Sequence, residues 1–171
     1  MGALAAEAET RRLPDRHPSG RVMGLDVGGQ RIGVAISDET WLIATPLEYV
    51  RRQGNDRERL HALVRRWGVG HLVVGLPTGL SGREGPQAAE VRAYAVQTAT
   101  ALGLPLEYWD ERFTSTIAEQ SLIASGTRRE ARREQIDAVS AAVILQGYLD
   151  ARRLREERRS RGRPPPSPSE D

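Results

Sequence analysis

Apolar positions along this chain recur with two different periods, and the changes of period divide it into strands and helices. Val22 to Val27 and Ile32 to Ile36 are two apolar runs joined by Gly28-Gly29. That arrangement predicts a β-hairpin in which glycine supplies positive φ. Ile43 to Val50 reads as a third strand, and Pro46 within it predicts an edge position or a start after the proline. From Asn55 the period lengthens. Leu60, Leu63, Val64 and Trp67 form one helical stripe. Asn55 and Glu58 have the spacing of a capping box, and Gly68 and Gly70 close the helix. His71 to Leu76 is short, apolar and β-branched, the pattern of a buried strand. A helix from Gln87 places Ala88, Val91, Ala95 and Leu102 on its core side. Leu104 to Trp109 is the fifth strand. A helix capped by Thr114 or Ser115 then turns Ile117, Ala118 and Leu122 inward and ends at Gly126. Thr127 to Glu134 reads as a charged connection. Gln135 to Leu149 reads as a helix apolar almost all round, buried on more than one face.

The order β-β-β-α-β-α-β-α predicts an α/β domain with a five-stranded mixed sheet. Three antiparallel strands come first, then two reached through helices. The domain spans 21–150. Residues 1–20 read as a flexible tail. Residues 151–171 read as an arginine-rich and then proline- and serine-rich tail, with seven arginines and two glutamates between Arg152 and Arg163. That run is read as a solvated extension or as a nucleic-acid contact.

Composition changes this picture little. Hydrophobic residues make up 39% of the chain, enough for a core, and no run approaches the roughly 20 apolar residues of a membrane span. The first twenty residues lack the apolar stretch of a signal peptide. With no cysteine, disulfides and thiolate metal sites are excluded, which suits a cytoplasmic protein. All 25 basic residues are arginine, yet the formal charge is only +2. The pI of about 9.5 therefore reflects how little titrates between histidine and tyrosine, and is weak support for a nucleic-acid partner.

Candidate chemistry comes from acids in apolar surroundings. Asp26 ends the first strand, where it is either a turn residue or part of a site at the mouth of the sheet. Asp110-Glu111 ends the fifth strand, where the pair is either a surface strand end paired to Arg112 or part of the same site. Asp137 opens the last core helix on a face continued by Ser140, Ala141, Ile144 and Tyr148. There it is either a dipole-favoured first-turn acid or a carboxylate needing a partner on a packed face. Together the three positions suggest a Mg²⁺ or Mn²⁺ site, since such hard cations take carboxylate oxygens. Two of them about 3.5–4 Å apart can hold a phosphodiester and activate water. The glycine-rich loop Pro77 to Pro86 feeds a helix N-terminus and offers N–H groups to an anion, but it lacks the Gly-Lys-Ser/Thr of a nucleotide loop. His17, His61 and His71 share no zinc-ligand spacing.

Four motifs in order carry a resemblance. They are Leu25-Asp26-Val27-Gly28 through Arg31-Ile32-Gly33-Val34-Ala35; Val74-Gly75-Leu76-Pro77 with Gly82 and Gly85-Pro86-Gln87-Ala88; Asp110-Glu111-Arg112-Phe113-Thr114-Ser115; and Asp137 to Gln146. Over Val22 to Asp150 the sequence closely resembles the YqgF/RuvX family of Holliday junction resolvases, also described as pre-16S rRNA nucleases. The resemblance implies an RNase H-like fold and a hydrolase acting on phosphodiester bonds. It maps the family's metal-binding acids onto Asp26, Asp110 or Glu111, and Asp137. Neighbours on a regular strand face opposite ways, so only one of Asp110 and Glu111 should reach the metals, and Glu111 is favoured. Arg31, Gly79, Ser81, Gly82, Arg83, Arg112, Thr114 and Ser115 would then contact the nucleic-acid backbone. Gln30, Glu134 and Gly79-Leu80-Ser81 depart from the family's usual residues, which bears on the substrate side and leaves the acids intact.

The expected function is a Mg²⁺- or Mn²⁺-dependent endonuclease acting on pre-16S rRNA or on a Holliday junction. A junction resolvase is expected to act as a symmetric dimer. No membrane and no nucleotide cofactor are expected. The alternative from another class is a nucleic-acid-binding module of the same fold with little or no catalysis. An ATP-binding domain of the actin–hexokinase type shares the first hairpin's glycines but needs two such domains, and this chain has room for one.

Overall fold

The computed structural model describes residues 19–79, 81–113 and 129–162, with side chains undescribed at 113 and 129–134. The strands are β1 (Arg21–Val27), β2 (Arg31–Ser37), β3 (Ala44–Arg51), β4 (Val69–Leu76) and β5 (Leu106–Asp110). The helices are α1 (Asp56–Trp67), α2 (Pro86–Leu102) and α3 (Arg129–Arg161), and Glu111–Phe113 forms one 3₁₀ turn after β5. The sheet order is β3-β2-β1-β4-β5. β1 runs antiparallel to β2 and β2 to β3, while β1–β4 and β4–β5 are parallel. This is the five-stranded mixed sheet expected from the sequence. Among the described residues no helix is long and apolar enough to cross a membrane.

Alternation along the strands sorts the core into two layers. Met23, Leu25, Val34, Leu72 and Val74 face α1 and α2, and pack with Leu60, Leu63, Val91 and Ala95. Val22, Ala35 and Val73 face α3, and pack with Ala141, Ala142, Ile144 and Leu145. The second layer is thin because glycine lies under the helix. A Cβ on Gly24 would stand 2.8 Å from the Leu145 Cβ, and one on Gly33 would stand 1.8 Å from the Asp137 carbonyl oxygen. α3 therefore rests on strand backbone. Farther along, Gln146 clamps the start of β3, accepting from the Ala44 N–H at 2.8 Å and donating to the Leu42 carbonyl at 2.9 Å.

Four local expectations are corrected. Neither glycine of the β1–β2 turn has positive φ. Gly28 is needed because a Cβ would lie 2.8 Å from the Arg31 carbonyl oxygen, which accepts from the Gly28 N–H. Asn55 caps α1 without a side-chain hydrogen bond, so the capping box does not form. The charged stretch before Gln135 is helical from Arg129, which makes Asp137 a third-turn residue beyond the reach of the helix dipole. Val139 and Val143 are only partly buried, so α3 buries one face rather than several. Pro46 does lie in an edge strand, beside a bulge in the β2–β3 register. The helix expected over Thr114 to Gly126, with Thr114 and Ser115, falls outside the described residues.

Candidate active site

The carboxylates of interest share the α3 side of the sheet by simple parity. Asp26 pairs directly with Gly33 across β1–β2, two residues beyond Gly24, which lies under the helix. Gly33 in turn sits beneath the backbone of Asp137. On β5, Leu106 and Tyr108 face the α1–α2 layer, while Trp109 packs on the α3 layer. Continuing that alternation turns Glu111 toward α3 and Asp110 away. Gly75 on β4 makes room for it, since a Cβ there would stand 2.4 Å from Glu111 Oε1 and 2.6 Å from Ile144 Cδ1.

The electrostatics follow from crowding acids in a dry place. Burial, and then the charge of Asp137, push Asp26 up from 3.8 to about 6. Burial, and then the charges of Asp26 and Asp110, push Glu111 up from 4.5 to about 7. Asp137 is also raised, by burial, with Arg31 opposing. Arg31 Nε lies 3.1 Å from Asp137 Oδ2, but the approach is not aligned as a hydrogen bond, and that buried oxygen receives none. Asp110 behaves differently. Despite some desolvation its carboxyl is held below its ordinary value by hydrogen bonds from the Thr78 hydroxyl, the Arg112 N–H and the Arg112 guanidinium. It is a satisfied surface acid, whereas Asp26 is repelled by Asp137 and Glu111 by Asp26 and Asp110.

Such a set suits a hard cation. The donors are all carboxylate oxygens, all three groups are raised above their ordinary pKa values, and Gly75 lets Glu111 lie close over the sheet. Among the described residues no three His, Cys, Asp or Glu side chains already close into a coordination cage. Asp137 is turned to Arg31 instead.

The residues expected to contact nucleic acid lie on the same rim. Gly79, Ser81, Gly82 and Arg83 belong to an exposed loop closed by a Thr78–Glu84 bridge. A Cβ on Gly82, whose φ is +75°, would stand 3.1 Å from Arg112 Nη1, so the loop and Arg112 are neighbours. Two features escaped sequence reasoning: the seat that Gly75 gives Glu111, and a buried polar cluster at the other end of β4. There Glu107 accepts from Tyr148 Oη and lies 3.3 Å from Nε2 of the fully buried His71, contacts that hold Glu107 near 2. Extending the β5 alternation back from Trp109 would have found Glu107.

A consequence for stability follows. In the cation-free protein the folded-state carboxyls of Asp26 and Glu111 lie above their ordinary values. The stability they allow is full below about pH 4 and is lost as pH rises through 6 and 7. A rise of about 2 in pKa corresponds to roughly 3 kcal/mol for one such group, or a Tm change of about 6–12 °C in a chain of this size. Thermal unfolding in EDTA should show Tm falling between pH 5 and pH 8. Adding Mg²⁺ should raise Tm more at pH 8 than at pH 5. A Tm that climbs over this range in EDTA would contradict the reading.

Comparison with known proteins gives a consistent result. The model of the family RuvX, described as Holliday junction resolvase, matches residues 20–151. A protein of Symbiobacterium thermophilum is 47% identical over 137 residues, covering 79% of this chain and 95% of its own length. One of Moorella thermoacetica is 48% identical over 132 residues, covering 76% and 94%. Both bear the name "Putative pre-16S rRNA nuclease". Among solved structures, Thermus thermophilus RuvC in complex with a Holliday junction substrate aligns with a TM-score of 0.48 at 19% identity, over 78% of this chain and 96% of that one, a remote likeness. With its four motifs in order and the family model spanning its sheet and most of α3, this chain belongs to the RuvX family.

Proposed function

We propose that this chain is a divalent-metal-dependent endonuclease that hydrolyses phosphodiester bonds in structured nucleic acid. The observation that carries the reading is the gathering of Asp26, Glu111 and Asp137 at one rim of the sheet on its α3 side, where Asp26 is repelled by Asp137 and Glu111 by Asp26. Membership of a resolvase family, and relatives named for pre-16S rRNA cleavage, support phosphodiester hydrolysis. A cytoplasmic location fits the cysteine-free composition.

Asp26, Glu111 and Asp137 would hold the cation, with Asp26 in the middle because its charge couples to both others. When bound, Mg²⁺ or Mn²⁺ supplies Lewis-acid charge to the scissile phosphate and to the attacking water. Arg31 lies beside Asp137, and its guanidinium would be within reach of a substrate phosphate at the same rim. Arg112 and the Gly79–Arg83 loop hold the backbone on the open side. Contacts of this kind position a substrate without reading its sequence, so RNA and branched DNA are both accommodated. Thr114 and Ser115 follow Arg112 in the chain and belong to the same proposed contact set.

The test presents a labelled precursor-rRNA fragment and a four-way DNA junction to the full chain with Mg²⁺, Mn²⁺ or EDTA. Cleavage in metal, abolished by EDTA and restored by excess cation, is expected, and the faster substrate names the physiological class. Binding of both substrates with no cleavage in any metal would leave the non-catalytic module, a reading favoured by the Arg31–Asp137 pair.

A further inference from the structure

α3 is 33 residues long, while the family match ends at residue 151. The helix continues without a break from Arg152 to Arg161 and is exposed from Arg153 onward. At 3.6 residues per turn, Arg155 lies about five turns after Asp137, on the same azimuth and about 27 Å away along the axis. Arg158 and Arg159 flank that azimuth. The stripe that buries Ala141, Ile144 and Tyr148 against the sheet is therefore the stripe that carries arginine once the sheet has ended. Arg152 marks the change, with its guanidinium 4.5 Å from the centre of the Trp41 ring.

The acids of this segment lie elsewhere on the helix and are already engaged. Glu156 pairs with Arg152 at 2.9 Å. Asp150 and Glu157 lie 3.7 and 4.0 Å from Arg153. Among the described residues Arg155 and Arg158 make no ion pair, so the stripe presents net positive charge beyond the end of the sheet. The partner chemistry is a polyanion. A lipid surface is disfavoured, because interfacial helices need a broad apolar face and Leu154 is the one large apolar side chain here.

We propose that Arg155, Arg158 and Arg159 form a second phosphate-backbone contact for the substrate nucleic acid, at the end of the sheet remote from the acids. This rests on the nuclease reading for the identity of the polyanion. The geometry adds a selection rule. The sheet fills the stripe between Asp137 and Arg155, so no straight segment can lie along it from one to the other. A nucleic acid engaging both must bend around the domain or branch, whereas a short straight duplex reaches only one.

The experiment measures equilibrium binding by fluorescence anisotropy, in EDTA, as a function of salt. The probes are a 12-base-pair DNA duplex, a four-way DNA junction and a folded precursor-rRNA fragment. Replacing Arg155, Arg158 and Arg159 by Ala should lower the salt slope by about 2 to 3 on the junction or the folded RNA and weaken binding there about ten- to hundredfold. The short duplex should change little, and the triple Lys variant should keep the wild-type slope. An unchanged slope on both large probes, or an equal loss on the short duplex, overturns the proposal. So does sedimentation with phosphatidylglycerol vesicles that is lost in the triple Ala variant, without any nucleic-acid effect. Because no cleavage is read, a failure of the nuclease reading appears separately, in the metal assay.

Discussion

Asp26→Asn should abolish metal-dependent cleavage, by at least about a thousandfold in kcat, while leaving the chain folded. The substitution keeps the shape of the side chain and removes the charge that couples to both Asp137 and Glu111. In EDTA at pH 8 the variant should unfold at a higher temperature than the wild type, because a buried, repelled carboxylate has become neutral. It should also lose most of the stabilisation by Mg²⁺. Gain of stability with loss of activity is the signature of an acid kept for chemistry, and a structural turn residue would give the opposite sign. Glu111→Gln should behave in the same way. Asp110→Asn should keep most activity, since its oxygens are committed to Thr78 and Arg112. Single-turnover cleavage with thermal unfolding in parallel checks all three variants. Full activity in Asp26→Asn would end the metal-site assignment.

Gly33→Ala should be a strongly damaging small substitution in the sheet. The added methyl would lie 1.8 Å from the Asp137 carbonyl oxygen and 2.4 Å from its carbon, and the obstacle is backbone. α3 must lift, which loosens Ala141, Ile144 and Leu145 and carries Asp137 away from Asp26. A loss of about 3 kcal/mol or more is expected, lowering Tm by roughly 6–12 °C, with cleavage falling further than stability accounts for. Gly29→Ala is the control. Nothing lies within 4 Å of its Cβ position and its φ is not positive, so it should be nearly silent. Equal Tm values for the two variants would show that the close helix-to-sheet approach is not needed.

The parts legible in the sequence were those governed by a single local rule. Apolar runs with β-branched residues mark β1, β2 and β4, because both sides of those strands are covered. Parity says that only one of Asp110 and Glu111 turns to the α3 side, and the packing of Trp109 and the closeness of Gly75 to Glu111 settle which. The parts not legible depend on what arrives from elsewhere in the chain. The residues from Arg129 to Glu134 are charged all round and carry no periodicity, so their helix shows only through its continuation into the packed segment that follows. Asn55 and Glu58 have the spacing of a capping box but not its bond. Gly28, Gly33 and Gly75 look like ordinary turn or strand glycines, and only the fold reveals which atoms would strike their methyl groups.

The position of β3 has a consequence for self-association. It is the outer strand on one side of the sheet, and it carries Pro46 beside a break in register with β2. A proline offers no N–H to an incoming strand, and a kinked margin fits a flat neighbour poorly. On the far side β5 is only five residues long and coils at once into a 3₁₀ turn. Both margins thus resist lateral growth into a continuous ribbon. Copies of this chain that meet at high concentration are left to associate through side-chain surfaces, which dissociate on dilution, rather than through backbone templating, which does not.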